Sequence, residues 1–155
     1  MRRLALALAL CLSTPVSADL APRPGWVIEA TDKSYADLVG AVRDAVRAAP
    51  INVVTQASAS DGARMQGRQI PGNRVFGLYR NDYARRMLAA SVAAGIEAPI
   101  RLYVTENEDG TATLSYKTPS AVFAPYADEG GADLAALASE LDAIFAEIVA
   151  AAAAN

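Results

Sequence analysis

One stretch decides the fold of this chain: residues 100–117, IRLYVTENEDGTATLSYK. Apolar side chains recur at every second position over 100–104 and again over 112–116. This period of two is typical of β-strands with one buried face. Between the two runs lies Glu108-Asp109-Gly110, a three-residue turn with Gly110 in the left-handed position. We therefore predict an antiparallel hairpin with one apolar face and one polar face.

The register of this hairpin follows from the turn. On the polar face the expected pairs are Thr105 with Thr113, Tyr103 with Ser115 and Arg101 with Lys117. On the apolar face the expected pairs are Val104 with Ala112 and Leu102 with Leu114. Because two cations directly opposite each other repel slightly, the polar face has two interpretations. Either an anion, a ligand or a second subunit occupies it, or its charges spread apart into solvent.

The rest of the chain is predicted to alternate between strands and helices around this hairpin. Runs rich in β-branched and aromatic residues predict strands at 26–30, 51–57 and 74–80. Apolar side chains at helical spacing predict helices at 34–49, 83–94 and 133–152, the first capped by Ser34 and the second by Asn81-Asp82. We expect loops at 31–33, 58–73 and 117–131, with one helical turn at 61–66. The order β-α-β-β-α-β-β-α predicts the α+β class, a two-layer sandwich whose mostly antiparallel sheet has its helices on one face.

The first 18 residues have the anatomy of a secretory signal. Arg2 and Arg3 precede a run of about nine apolar residues, and small residues follow up to Ala18. This run is shorter than the ~20 residues that a membrane-spanning helix needs. We therefore predict cleavage between Ala18 and Asp19, export to the periplasm or beyond, and one domain at 19–155. No stable membrane insertion is expected after cleavage.

Composition excludes several classes of chemistry. The chain has no histidine, and its one cysteine, Cys11, lies in the predicted signal. A Ser-His-Asp triad, a Cys-His dyad and a His-bound metal or haem are therefore excluded, and we expect no metal or cofactor. Cleavage leaves 12 basic and 17 acidic side chains, a net charge of −5. This acidic balance predicts no nucleic-acid partner.

Three further clusters have candidate chemistry. Arg80 and Asn81 lie where a strand meets a helix N-terminus, which either binds an anion or is a capped helix end. Arginines that flank the Gly-containing loop either bind a carboxylate or phosphate or only increase solubility: Arg64, Arg68 and Arg74. The acidic segment 106–110 lacks the ligand spacing of a calcium-binding loop, so we expect a solvated turn.

Several short motifs, in this order along the chain, resemble domain-of-unknown-function family 302. The matching residues are Ala63, Gly67, Phe76-Gly77, Asn81, Ala98-Pro99, Glu106, Asp109-Gly110 and Tyr116-Lys-Thr-Pro119. The resemblance covers about 34–125 and implies a two-layer fold like that of the TATA-box-binding protein, often homodimeric, with no established activity. Many members have an Asp-His pair after the second strand, where this chain has Ser58-Ala59-Ser60-Asp61. A metal or acid–base role of that histidine is therefore not expected here.

We favour a non-enzymatic exported domain that binds a small anionic or apolar ligand or a protein partner, with a possible homodimer through sheet or helix faces. The expected site residues are Arg101, Tyr103, Ser115, Lys117, Arg80 and Asn81. A sizeable apolar pocket between sheet and helices, or a buried patch around Tyr103 and Tyr116, would support ligand binding. One alternative is a hydrolase or lyase based on carboxylates and arginines, which predicts an acid of raised pKa beside Arg64, Arg68 or Arg80. The other alternative is an envelope structural or stress protein.

Overall fold

A five-stranded antiparallel sheet is the frame of the protein, for which a computed structural model describes residues 20–154. The strands are β1 (Trp26–Ser34), β2 (Asn52–Ala57), β3 (Asn73–Tyr79), β4 (Ile100–Glu106) and β5 (Thr111–Lys117). Their order across the sheet is β1-β5-β4-β3-β2, and every neighbouring pair is antiparallel. The predicted signal segment and its cleavage site between Ala18 and Asp19 lie outside the described residues.

The helices are α1 (Tyr35–Ala48), α2 (Ala59–Met65), α3 (Asn81–Ala90), α4 (Pro119–Phe123) and α5 (Ala127–Ala153), with 3₁₀ turns at Ala93–Glu97 and Ala124–Tyr126. The long helices α1, α3 and α5 pack against one face of this sheet. Helix α5 contacts both α1 and α3, and the apolar sides of these helices share one core with the sheet. The predicted α+β class, with a two-layer sandwich and the helices on one face, is confirmed.

The core lies between the sheet and the helix layer. Its largest fully buried side chains include Phe76 and Leu102 from the sheet and Leu38 and Phe145 from the helices. The Tyr116 and Phe145 rings meet with their centroids 5.5 Å apart, so β5 packs directly on α5. The apolar side chains at helical spacing in α1 and α5 therefore form the core that the sequence pattern predicts.

The β4–β5 hairpin confirms the polar-face register and corrects the apolar one. Gly110 has φ 85°, and the Asn107 N–H donates to the Thr111 carbonyl at 2.8 Å, which closes a three-residue turn. Thr105 pairs with Thr113 and Tyr103 with Ser115 as predicted. The predicted apolar pairs are wrong by two residues, since Val104 pairs with Leu114 and Leu102 with Tyr116. A hairpin has one register, and both faces must obey it.

Two predicted loops contain regular structure. Strand β1 does not end at Ala30 but continues through an irregularity between Thr31 and Ser34, where the Thr31 hydroxyl donates to the Ala112 carbonyl of β5 at 2.8 Å. Much of the loop predicted at 117–131 is helical, because Thr118 caps α4 and a first short piece of α5 begins at Ala127. Gly131, with φ 53° and ψ −143°, breaks α5, and the longer piece after it agrees with the helix predicted from residue 133. Sequence periodicity misses these pieces since they are short or are stabilised by a neighbouring strand.

The ends of the helices differ in how well the sequence predicts them. Ser34 caps α1 as expected, with its side chain accepting from the Asp37 N–H. For α3 the predicted cap is wrong, because the helix starts at Asn81 and its N-cap residue is Arg80, with no capping side chain. Helix α3 also ends at Ala90, and the rest of the predicted helix is a bend and a 3₁₀ turn.

Candidate binding site

The sheet face away from the helix layer, called the open face below, presents three cross-strand rows of side chains. The first row is Trp26, Lys117, Arg101, Gly77 and Thr55. The second row is Ile28, Ser115, Tyr103, Val75 and Ala57. The third row is Ala30, Thr113, Thr105 and Asn73. Continuing the β4–β5 register by one residue sets Arg101 opposite Lys117, so the first row has two cations at its centre.

A groove of about 570 Å³ lies over the first two rows. Its floor is formed by sheet residues such as Val75, Tyr103 and Ser115. Its walls come from outside the sheet: Ala59 of α2, Glu97 of the 3₁₀ turn and Val122 of α4. The groove therefore combines an apolar floor and walls with a few charged groups, which is the usual composition of a small-molecule site.

Two cations lie beside Trp26, and one of them, Lys117, lines the groove. The Arg23 guanidinium lies 5.5 Å from the Trp26 ring centroid and the Lys117 ammonium lies 5.9 Å from it, both within cation–π range. Arg101 and Lys117 are exposed, and neither forms a salt bridge with a residue in the described range 20–154. Two positive groups at one end of an apolar groove attract an anion.

Glu97 is the one acidic residue that lines this groove, within the part of the chain that the structure describes. The Tyr126 hydroxyl donates to its Oε1 atom at 2.8 Å, and this hydrogen bond is the main cause of a raised pKa at Tyr126. The bond joins the 3₁₀ turn before β4 to the turn before α5. It therefore holds the Glu97 carboxylate at the wall of the groove.

The centre of the open face is flat because its side chains are small or absent. Ser115 is fully buried among its neighbours, and its hydroxyl makes one long hydrogen bond, 3.5 Å, to the Tyr103 carbonyl. Gly77 has no space for a side chain, since a Cβ atom there would overlap the Thr55 hydroxyl and lie 2.8 Å from Pro99 Cγ. The space beside Gly77 is therefore already occupied by Thr55 and Pro99.

The structure brings four of the six predicted site residues together and separates two. Arg101, Tyr103, Ser115 and Lys117 all line the groove. Arg80 instead lies at the start of α3, where it donates two hydrogen bonds to Asp82, at 2.7 and 2.6 Å, and stacks on Tyr83 at 4.5 Å. The bonds to Arg80 lower the pKa of Asp82. Asn81 is the first residue of α3 and does not line the groove.

The loop arginines also do not converge on one cleft. Arg64 and Arg74 both contact Asp61 of α2, and Arg74 is further bonded to Gln56 at 3.3 Å. Together with Arg80 and Asp82, these contacts use the arginines in local ion pairs rather than around an acid of raised pKa. The carboxyl pKa values that depart from the ordinary range, those of Asp82, Asp109 and Glu140, are all lowered.

The expected apolar pocket between the sheet and the helices is not the main cavity. The space among Leu78, Phe123 and Phe145 amounts to only about 30 Å³. Tyr103 and Tyr116 both line the groove, Tyr103 from the open face and Tyr116 from the buried core, since residues of odd and even number on these strands face opposite sides of the sheet. The large cavity lies instead on the face that the helices leave uncovered.

Several groove residues were not among the predicted site residues, and three of them show why: Trp26, Val75 and Glu97. Trp26 had a signal, since the only tryptophan of the chain begins a strand, but its place beside Lys117 depends on the β1–β5 pairing. Val75 lies on a strand that is apolar on both faces, which hides the face it takes. Glu97 lies on a 3₁₀ turn with no motif around it, and no local pattern predicts its position.

The acidic hairpin tip forms a turn that its own side chains stabilise. The Asp109 carboxylate accepts from the Thr111 N–H at 2.9 Å and from its hydroxyl at 2.6 Å, and these bonds lower the pKa of Asp109. Over residues 20–154, no group of three or more acidic side chains is arranged to hold a metal ion. No helix in the same range is long and apolar enough to cross a membrane.

Comparison with known proteins places this architecture in a family. The sequence model of "Domain of unknown function DUF302" matches residues 27–152, which include the whole groove except Trp26. The fold is similar to the crystal structure of an uncharacterized conserved protein DUF302 from Bacillus stearothermophilus, with a TM-score of 0.72 and 14% sequence identity. That similarity covers 84% of this chain and 99% of the other. No curated protein matches the sequence. The chain belongs to the DUF302 family.

Proposed function

We propose that the open face binds a small molecule with an apolar body and one anionic group. The observation that supports this is the groove of about 570 Å³, whose apolar floor ends at Arg101 and Lys117. Its volume falls in the range of roughly 300–1,000 Å³ that is typical of ligand pockets. The protein would act as an exported binding module rather than as an enzyme.

The two ends of the ligand have different tasks in this proposal. The apolar body covers Val75, Tyr103 and Val122, and removing this surface from water provides most of the affinity. The anionic group meets Arg101 and Lys117, relieves their mutual repulsion and fixes the orientation of the ligand. The proposal therefore favours an anion on the polar face over charges that spread apart into solvent.

The test uses two probes with the same phenyl body, 3-phenylpropanoate and the neutral 3-phenylpropan-1-ol. Trp26 is the only tryptophan and lines the groove, so its fluorescence reports occupancy directly. We expect the acid to bind about tenfold more tightly than the alcohol, because it gains charge-assisted hydrogen bonds. Equal affinities for the two probes, or no response to either, would overturn the proposal.

The matched variants remove two positive charges either inside or outside the groove. The double variant Arg101→Gln/Lys117→Gln should bind acid and alcohol equally. The control, Arg47→Gln/Arg85→Gln, changes the net charge identically at exposed positions of α1 and α3 and should keep the preference for the acid. If both variants lose that preference alike, the effect comes from net charge and the groove is not the site.

A second copy of the chain is the competing occupant of the open face, and the same samples distinguish it. Light scattering would then report a dimer, and Trp26 would be protected from an aqueous quencher without any added ligand. A dimer that 3-phenylpropanoate neither dissociates nor occupies would make the open face a subunit interface and would contradict the proposal. A monomer with a quenchable Trp26 is the expected result.

A further inference from the structure

The groove contains a carboxylate that its two cations do not neutralise. Glu97 and Arg101 line the main groove together, and they also line the adjoining cavity of about 300 Å³ beside Thr55 and Pro99. No salt bridge joins Glu97 to Arg101, to Lys117 or to any other residue of the described range 20–154. Opposite charges therefore share one wall with a gap between them.

Glu97 is held in this position rather than left to rotate into solvent. It is only partly exposed, and the Tyr126 hydroxyl occupies one carboxylate oxygen at 2.8 Å. A second contact joins the same two chain segments, since the Ser91 hydroxyl donates to Glu129 of α5 at 2.7 Å. The other oxygen of Glu97 makes no hydrogen bond with a residue of this described segment and is available to accept one.

We infer that the ligand of the groove is a zwitterion, an α-amino acid with an apolar or aromatic side chain, and that Glu97 binds its ammonium group. The inference rests on the proposed function, because Arg101 and Lys117 bind the carboxylate of the same molecule. An α-amino acid has its carboxylate and its ammonium on the same carbon atom, and partners for both charges line this groove. The apolar side chain then lies over Val75 and Tyr103, where the proposed function places the apolar body.

A simple monoanion does not pair with all the charged groups of the groove. It pairs with the two cations but brings a negative charge next to Glu97, which repels it. An amine without a carboxylate pairs with Glu97 but is repelled by Arg101 and Lys117. Only a molecule with both charges removes both penalties, so Glu97 is the residue that determines specificity between these classes of ligand.

Three probes with one phenyl body test the inference: L-phenylalanine, 3-phenylpropanoate and 2-phenylethylamine. With Trp26 fluorescence as the readout, we expect L-phenylalanine to bind the unmodified protein about tenfold more tightly than either of the others. In Glu97→Gln, binding of L-phenylalanine should weaken about tenfold, while binding of 3-phenylpropanoate should tighten about twofold because a like charge is gone. The amide oxygen still accepts from Tyr126, so the fold is retained.

The control variant is Glu108→Gln, which removes the same charge at the exposed hairpin tip, outside the groove. It should leave the order and the affinities of all three probes unchanged. If 3-phenylpropanoate binds as well as L-phenylalanine, and Glu97→Gln weakens both or neither, the zwitterion inference is wrong while the proposed function stands. If no probe binds, or if Arg101→Gln/Lys117→Gln leaves all affinities unchanged, the proposed function itself fails.

Discussion

The two faces of the sheet differ in how much empty space lies above their buried side chains. On β5 the adjacent residues Leu114 and Ser115 are both completely buried, Leu114 under the helix layer and Ser115 among its neighbours on the open face. Under the helix layer side chains fill the space, and the cavity between sheet and helices, among Leu78, Phe123 and Phe145, measures only about 30 Å³. Above Ser115 a groove of about 570 Å³ remains.

This difference shows that burial alone does not identify the residues that stabilise the fold. Large side chains on the covered face interdigitate with α1 and α5, so they contribute both transfer free energy and packing. Thr113 and Ser115 on the open face are inaccessible because neighbouring strands surround them, and above Ser115 lies a groove rather than a helix. The covered face is specialised for stability, and the open face leaves room for a ligand.

The largest expected effect is a difference in stability between substitutions at two adjacent residues of β5 that lie on opposite faces. Leu114→Ala should lower the free energy of unfolding by about 2–5 kcal/mol, because it opens a cavity in a core that cannot collapse fully. Ser115→Ala should lower it by less than about 1 kcal/mol, since the hydroxyl makes only one long hydrogen bond. Urea unfolding of the two variants checks both values. Similar losses would mean that the open face is packed as tightly as the core.

The covered face is the part of the fold that sequence reasoning predicts best. The alternation in β4 and β5 and the helical spacing in α1 and α5 are local patterns, and each states which side chains face the core. Gly110 and the three-residue turn then determine the register of the hairpin. The two-layer α+β arrangement follows, because a sheet with one apolar face must bury it against helices.

The candidate site was predicted in part, for a physical reason. Arg101, Tyr103, Ser115 and Lys117 share a face by strand parity, so the hairpin alone places them together. Trp26 and Glu97 reach the groove through long-range contacts, the β1–β5 pairing and the bond from Tyr126. Arg80 lies outside the groove and pairs with Asp82, and no local sequence pattern states that this pair forms.

The next effect concerns Gly77, where neighbouring side chains leave no room for a Cβ atom. Gly77→Ala should lower stability by about 1–3 kcal/mol, because the added Cβ overlaps the Thr55 hydroxyl and crowds Pro99. Gly40→Ala in α1 should instead raise stability by up to about 1 kcal/mol, since nothing lies within 4 Å and alanine favours a helix.

Thermal or urea unfolding measures the stabilities of these two glycine variants. A third variant tests whether the overlap with Thr55 causes the loss in Gly77→Ala. Thr55→Ala in the Gly77→Ala background should recover part of the loss, because it removes the overlapping hydroxyl. Equal behaviour of the two glycine variants would show that Gly77 is not constrained by its neighbours. The absence of a side chain at this position of the sheet would then need another explanation.

The smallest expected effect is a loss of stability in the helix layer as the pH falls into the acid range. Hydrogen bonds from Arg80 and Arg86 lower the pKa of Asp82 and of Glu140, which join β3 to α3 and α3 to α5. Because each carboxyl has a lower pKa in the folded state than its unfolded value of about 4, the folded state binds fewer protons there. This stabilisation is complete above that pH and is lost as the pH falls through the folded pKa values.

The melting temperature measured from pH 6 down to pH 2 should therefore fall in the acid range, and the fall should be shallower in the variant Asp82→Asn/Glu140→Gln. Both pairs are exposed, so the change is expected to be slight. Asp133→Asn/Glu147→Gln serves as control, because these two exposed carboxyls on α5 form no salt bridge within the described residues. An identical acid limb in both double variants would mean that the helix layer gains nothing from its arginine pairs, and that apolar packing alone separates the covered face from the open one.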